Sequence, residues 1–284
     1  MGMRLRIVSF NAAIQDLRVF GHSLYCPVAW PRERLRQLPA ALATLDADVI
    51  CLQELFHRPL QRWLCAQMAA AFPYVAGLDT SRPPLRLGNE LLVLSRFPLH
   101  GARLHRFVQA APEEQRFTCK GFLDLKVEIP GLGAVGLVNF HATAGGARAH
   151  PESEEMEAIR SQQVAQLLGI ADPDLPILMV GDLNAGPHTS THIYKELCGR
   201  GLVDVFAAAG GDGMTWDPAN PLVARGRESH LPPQRIDHVF LSATLADRLA
   251  PRAAHTVLHE HDAPTPWGGM PLSDHYGVLT DLEF

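Results

Sequence analysis

Long hydrophobic runs, paired cysteines and a basic face are all missing from this sequence, and each absence narrows what the chain can do. No stretch of about eighteen apolar residues is available to cross a bilayer as a helix. The opening MGMRLRIVSF has too short an apolar run for a signal peptide and no small-residue cleavage site after it, so the default location is cytoplasmic, with export by another route left open. Five cysteines (Cys26, Cys51, Cys65, Cys119 and Cys198) are odd in number and lack paired metal spacing, which excludes a disulfide framework as the simple reading and favours a reduced compartment. A net charge of −5 with pI near 6.3 gives none of the basic excess that binding to duplex phosphates normally requires. There is no obvious linker, internal repeat or low-complexity segment.

What is present is apolar: 47% of the 284 residues are hydrophobic and 19% charged, enough for a sizeable core in one domain spanning residues 1–284. Strand-like runs recur at residues 5–10, 48–53, 90–96, 122–129, 134–140 and 176–181, followed by RIDHVFLS, AAHTVLH and HYGVLTDLEF. Helical patterns fall at about residues 32–45, 60–72, 152–168 and 191–199, with Pro39 marking a kink or an early stop in the first. Pro151 followed by an acidic first turn is a good helix start. So many strands with only four long helices predict two sheets packed face to face with helices outside, an α/β class.

Polar residues cluster where those strands end. Asn11 follows RIVSF, Glu54 follows DVICLQ, His141 follows AVGLVNF, and Asp182 and Asn184 follow PILMVG. Asp237 sits inside RIDHVF, and Ser273, Asp274 and His275 precede the final strand. One carboxylate at a strand end is ordinarily a solvated turn residue. Six such ends, if they converge on one rim, make a hard-oxygen metal site with two histidines and amide donors beside it, which is what hydrolysis of a phosphate ester needs.

The ordered segments LQE (52–54), GDLN (181–184), RIDHVF (235–240) and SDH (273–275) carry a resemblance to the endonuclease/exonuclease/phosphatase superfamily, the deoxyribonuclease I-like fold, from about residue 4 to the C-terminus. The resemblance implies a four-layered α/β sandwich of two mixed, mainly antiparallel sheets. It also implies an enzyme, a Mg²⁺-dependent hydrolase of phosphate esters or diesters, with Mn²⁺ as an alternative ion. On it, Glu54, Asn11 and Asp274 are the metal residues, and His275 is the general base with Asp237 fixing its tautomer. Asp182 aligns or deprotonates the attacking water, Asn184 donates to a non-bridging oxygen, and His141 stabilises the transition state or protonates the leaving oxygen. Residues two apart in an extended segment share a side, so Asp182 and Asn184 would face one phosphate together.

The segment Ser9-Phe10-Asn11 departs from the Asn-x-Asn pattern of many members, while His141 suits the sphingomyelinase, inositol-phosphatase, deadenylase and deoxyribonuclease branches. CKGF (119–122) is similar to a segment of sphingomyelinases and inositol polyphosphate 5-phosphatases, and TWDPANPL (215–222) to one of bacterial neutral sphingomyelinases, which makes Lys120 and Trp216 candidate substrate contacts; the competing readings are a solvated strand lysine and a packing tryptophan. The segment 15–31 reads as a long loop bearing Phe20, Tyr25 and Trp30, with Trp267 expected on the opposite edge of the mouth. These rings favour a lipid-like phosphodiester over nucleic acid as partner, with transient contact to a membrane surface. A nuclease, an inositol or nucleotide phosphatase using the same residues, and a non-catalytic scaffold on the same fold are the alternatives. His188, His192, His255, His259 and His261 lack metal-ligand spacing and read as surface histidines. The sequence leaves the leaving group, the number of metal ions and the oligomeric state open.

Overall fold

A computed structural model describes residues 2–19, 22–78, 88–145, 153–170, 175–224, 226, 228–260 and 262–284. The first sheet contains β1 (Arg4–Ile14), β4 (Val49–Leu55), β5 (Tyr74–Ala76), β6 (Leu92–Ser95), β13 (Ala250–Val257) and β16 (Gly277–Glu283), in the order β13-β16-β1-β4-β6-β5. The second contains β7 (Leu99–Arg106), β8 (Gly121–Ile129), β9 (Gly133–His141), β10 (Ile177–Asp182), β11 (Leu202–Asp204) and β12 (Asp237–Ser242), in the order β11-β12-β10-β9-β8-β7. Both are mixed: β1 runs parallel to β4 and β9 parallel to β10, and the remaining pairs are antiparallel.

Period-two alternation builds the layers. Leu5 and Ile7 of β1, Val49 and Cys51 of β4, Leu178 and Val180 of β10, and Val239 and Leu241 of β12 share the core between the sheets. Their alternates on the first sheet, among them Val8, Phe10, Ile50 and Leu52, pack beneath α1 (Pro31–Ala43) and α2 (Arg58–Met68). Those on the second, among them Val138, Phe140, Met179 and Phe240, pack beneath α4 (Glu154–Ile170) and α5 (Thr191–Gly199). Helices therefore lie outside both sheets, as the strand count predicts. Among the described residues, three short helices, α3 (Pro112–Phe117), α6 (Val205–Ala208) and α7 (Ala243–Ala246), complete the set.

Two expectations need correction. Pro39 neither ends α1 nor stops it early: the helix continues to Ala43, since a single proline forfeits one backbone bond while Leu35, Leu38, Ala41 and Leu42 stay buried beneath it. The segment 15–31 is not a bare loop, because it holds the two-stranded hairpin β2 (Leu17–Val19) and β3 (His22–Tyr25). A second hairpin, β14 (Asp262–Thr265) with β15 (Gly268–Pro271), precedes the SDH segment. Phe20, the helix start at Pro151 and His261 fall outside the described residues.

Candidate active site

Alternation carries polar side chains to the rim as naturally as it carries apolar ones into the core. Asn11 shares the inward parity of Leu5 and Ile7, Asp182 that of Leu178 and Val180, Asp237 that of Val239 and Leu241, and His141 that of Val135 and Leu137. All four are buried. One step below them a polar layer separates site from core: Gln53 donates to Asn139 Oδ1 at 2.8 Å, and the Asn139 amide donates to the carbonyls of Leu52 and Leu92 at 3.0 and 3.1 Å. Glu54 lies on the other parity, but its left-handed φ of 54° breaks the alternation. Its carboxylate reaches to within 3.7 Å of His141 Nε2 on the opposing sheet and accepts a hydrogen bond from Gln15.

The sheets contribute different chemistry. Asn11, Glu54 and Asp274 all come from the first, whereas Lys120, His141, Asp182, Asn184 and Asp237 come from the second. Among the contacts that join the halves, the Asn11 amide donates to Asp182 Oδ2 at 3.0 Å, and His275 Nδ1 lies 2.9 Å from Asp237 Oδ2. The latter contact leaves His275 Nε2 facing the site, 3.9 Å from Asp182 Oδ2. Burial opposes the charge on His275, yet the carboxylates of Asp237, Asp182 and Asp274 outweigh it and lift the imidazole well above its ordinary value. One donor atom each from Asp182, Asp237 and His275 fall within 4.8 Å of one another.

His141 has its own carboxylate, which the sequence reading missed. Glu90, fully buried just before β6, places Oε1 3.2 Å from His141 Nδ1. Burial lifts its carboxyl to about 7, against the pull of Lys120. The only signal was a glutamate entering an apolar run, indistinguishable from a strand start. On the other side of the ring, the Lys120 ammonium contacts His141 Nε2 and lies 3.7 Å from Glu114 Oε1. Burial, reinforced by Lys120, holds His141 down at about 4, so the ring is neutral. Burial also works against the Lys120 charge, but Glu90, Glu114, Glu54 and Asp182 prevail and its pKa sits above the ordinary lysine value. Lys120 is thus a buried cation among carboxylates and not a solvated strand residue.

Asn184 departs from the extended geometry expected of it. The strand ends at Asp182, Asn184 adopts a φ of 51°, and its amide donates to the Ala142 carbonyl at 3.1 Å while its backbone N–H donates to Asp182 Oδ1 at 2.8 Å. Arg160 of α4 donates to the Asn184 carbonyl at 3.0 Å. His238 Nε2 donates to the Ala185 carbonyl at 2.8 Å, with its Nδ1 facing Arg235, which also pairs with Asp204 at 2.7 Å. Burial and Arg235 keep His238 neutral, at about 4.

Trp216, the other candidate substrate contact, is 7% exposed and packs with Val223, Ile236 and Leu231, while its backbone bridges Gln234 and His275. Trp267, 56% exposed at the tip of the β14–β15 hairpin, meets Trp30 edge-on at 5.2 Å. His188, His192, His255 and His259 are exposed, as expected.

The sequence pattern of the Endonuclease/Exonuclease/phosphatase family matches residues 8–275. No curated protein matches the chain in sequence. Among solved structures, sphingomyelinase C from Streptomyces griseocarneus is similar with a TM-score of 0.77 and 23% identity over 98% of this chain and 99% of that one. A variant of the beta toxin of Staphylococcus aureus with bound magnesium ions gives 0.75 and 19% over 98% and 99%. TDP2 of D. rerio, complexed with a single-strand DNA product, gives 0.70 and 20% over 99% of each chain. At these identities the likeness establishes the fold, and the pattern match extends it to kinship. The chain belongs to the endonuclease/exonuclease/phosphatase family, enzymes that hydrolyse phosphate esters with the help of metal ions.

Proposed function

We propose that the chain is a Mg²⁺-dependent phosphodiesterase of sphingomyelinase-like type, acting on a lipid-like or small phosphodiester. The observation that carries this reading is the surplus of buried and half-buried carboxylates on one rim. Glu54, Glu90, Asp182, Asp237 and Asp274 face one another's fields with Lys120 as the cationic lysine among them. Burial holds the Glu54 carboxyl above its usual range, with Glu90 and Asp274 adding to the shift, a strain that a divalent cation relieves. Hard oxygen donors on Asn11, Glu54 and Asp274 suit magnesium, which keeps waters and leaves room for phosphate. Bound there, the ion supplies Lewis-acid polarisation of a phosphoryl oxygen.

The residues do the rest. Asp182 orients the attacking water, His275 Nε2 takes its proton, and Asp237 fixes the tautomer that makes this possible. His141, neutral and with Nε2 turned to Lys120, is an acceptor in this arrangement. The positive charge directed at the phosphate is therefore that of Lys120, with Glu90 orienting the histidine between them. The exposed Trp267, braced against Trp30 on the hairpin that leads into Ser273, Asp274 and His275, supports the lipid-like choice and transient contact with a membrane surface.

The test is a hydrolysis panel of sphingomyelin, lysophospholipid, single- and double-stranded DNA, RNA and an inositol polyphosphate, in Mg²⁺ or EDTA, with wild type and His275→Ala. Metal-dependent release of phosphocholine, absent in the variant, is the expected result. Cleavage of nucleic acid alone overturns the substrate and keeps the site; no metal-dependent activity on any substrate overturns the enzyme reading.

A further inference from the structure

Arg34 lies in α1, takes no part in the chemistry above, and is fully buried. A guanidinium carries five N–H donors in one plane, and here every one meets a backbone carbonyl. Nε donates to Ala29 at 2.9 Å, Nη1 to Ala12 and Leu272 at 2.9 Å each, and Nη2 to Ala13 at 2.6 Å and Val28 at 3.3 Å. The identity of those carbonyls matters more than their number. Ala12 and Ala13 directly follow Asn11, and Leu272 directly precedes Ser273, Asp274 and His275.

The two segments also touch without Arg34. Ser273 Oγ donates to the Asn11 carbonyl at 2.7 Å, and the Ala13 N–H donates to Asn11 Oδ1 at 3.1 Å. Ala13 holds a left-handed φ of 50°, which costs a non-glycine residue about 1 kcal/mol or more. The shortest of the five guanidinium bonds falls on this residue's carbonyl. The plane of Arg34 thus anchors a strained turn on one side and the start of the SDH segment on the other.

We propose that Arg34 is a positioning residue for the metal half of the site: its guanidinium fork sets the separation of Asn11 and Asp274 by holding the backbone beside each. The inference rests on the reading of Asn11, Glu54 and Asp274 as the metal residues. It also makes a demand that charge alone does not meet. Lysine keeps the charge but offers three donors around one nitrogen, and it cannot span carbonyls spread over one plane. Arg6 supplies the control. It sits near the other end of β1 and pairs with Asp281 at 2.7 and 2.9 Å, far along the strand from Asn11.

The experiment compares the full chain as wild type, Arg34→Lys, Arg34→Met and Arg6→Met by hydrogen-exchange mass spectrometry and by calorimetric titration with Mg²⁺. Arg34→Lys is expected to lose amide protection in peptides covering residues 11–15 and 270–276 while β9 and β10 keep theirs. Its Mg²⁺ dissociation constant should rise about ten- to hundredfold, the usual effect of removing a group that orients ligands. Arg6→Met should bind Mg²⁺ as wild type does. Arg34→Met should follow the lysine variant, and if it fails to fold, the lysine variant still decides. Wild-type exchange in both segments of Arg34→Lys overturns the proposal, as does a uniform rise in exchange with unchanged Mg²⁺ affinity. If wild type itself takes up no Mg²⁺, the metal reading falls, and the exchange pattern alone then decides whether Arg34 holds the two segments together.

Discussion

At the residue scale the site is two carboxylate–imidazole pairs with opposite assignments. Asp237 and its acidic neighbours make His275 a strong base, whereas burial and Lys120 keep His141 uncharged. His275→Ala and Asp182→Ala should each lower turnover by several orders of magnitude without loss of fold, as expected of members of one catalytic unit; steady-state kinetics beside circular dichroism checks this. Glu90→Gln removes the ionisable carboxyl 3.2 Å from His141 Nδ1 and should cost about ten- to hundredfold in kcat with KM little changed. Lys120→Met should cost about a hundredfold and let the His141 ring titrate nearer its ordinary value, visible in its nitrogen chemical shifts. Much of this was legible in the sequence, because period-two alternation continues through the core to the rim and leaves Asn11, Asp182 and Asp237 where apolar residues would otherwise point inward. Glu90 was not, since its partner lies on a strand of the other sheet and only tertiary packing brings them together.

At the scale of elements, the strands that were missed explain themselves. β7 is almost wholly exposed, so LHGARLHR shows no apolar alternation, and β14 and β15 are short and rich in proline and glycine. The long helices were found because each buries one face, and α1 continued through Pro39 for the same reason. The turn after β10 is where local conformation matters most. Gly186 approaches Arg235 so closely that an added Cβ would run into its carbonyl oxygen. Gly186→Ala should therefore cost about 1–3 kcal/mol in thermal or denaturant unfolding, and it should lower activity further by disturbing Asn184 two residues away.

For the whole molecule, the buried histidines tie stability to acidity. His238 is held at about 4 in the fold, against roughly 6.5 in an unfolded chain. Its contribution is complete above pH 6.5 or so and is lost as pH falls towards 4. His141 behaves alike, but Glu90, raised to about 7, carries the opposite slope over much of the same range and offsets it. The His238 contribution to the melting temperature should thus fall between about pH 6.5 and 4, and His238→Gln, measured across that range, should remove a slope of about one proton. If Mg²⁺ binds as proposed, saturating it to a hundredfold over its dissociation constant should add about 2.7 kcal/mol to stability, and EDTA should remove both this increment and the activity. The division of labour between the sheets reaches further. Because Asn11 meets Asp182 and His275 meets Asp237 only across the gap between the two sheets, turnover works as a gauge of how firmly those sheets are clasped. In mild denaturant, catalysis should fade while both sheets still show their full strand signal, and pressure that slides one sheet over the other should silence the enzyme before it unfolds it.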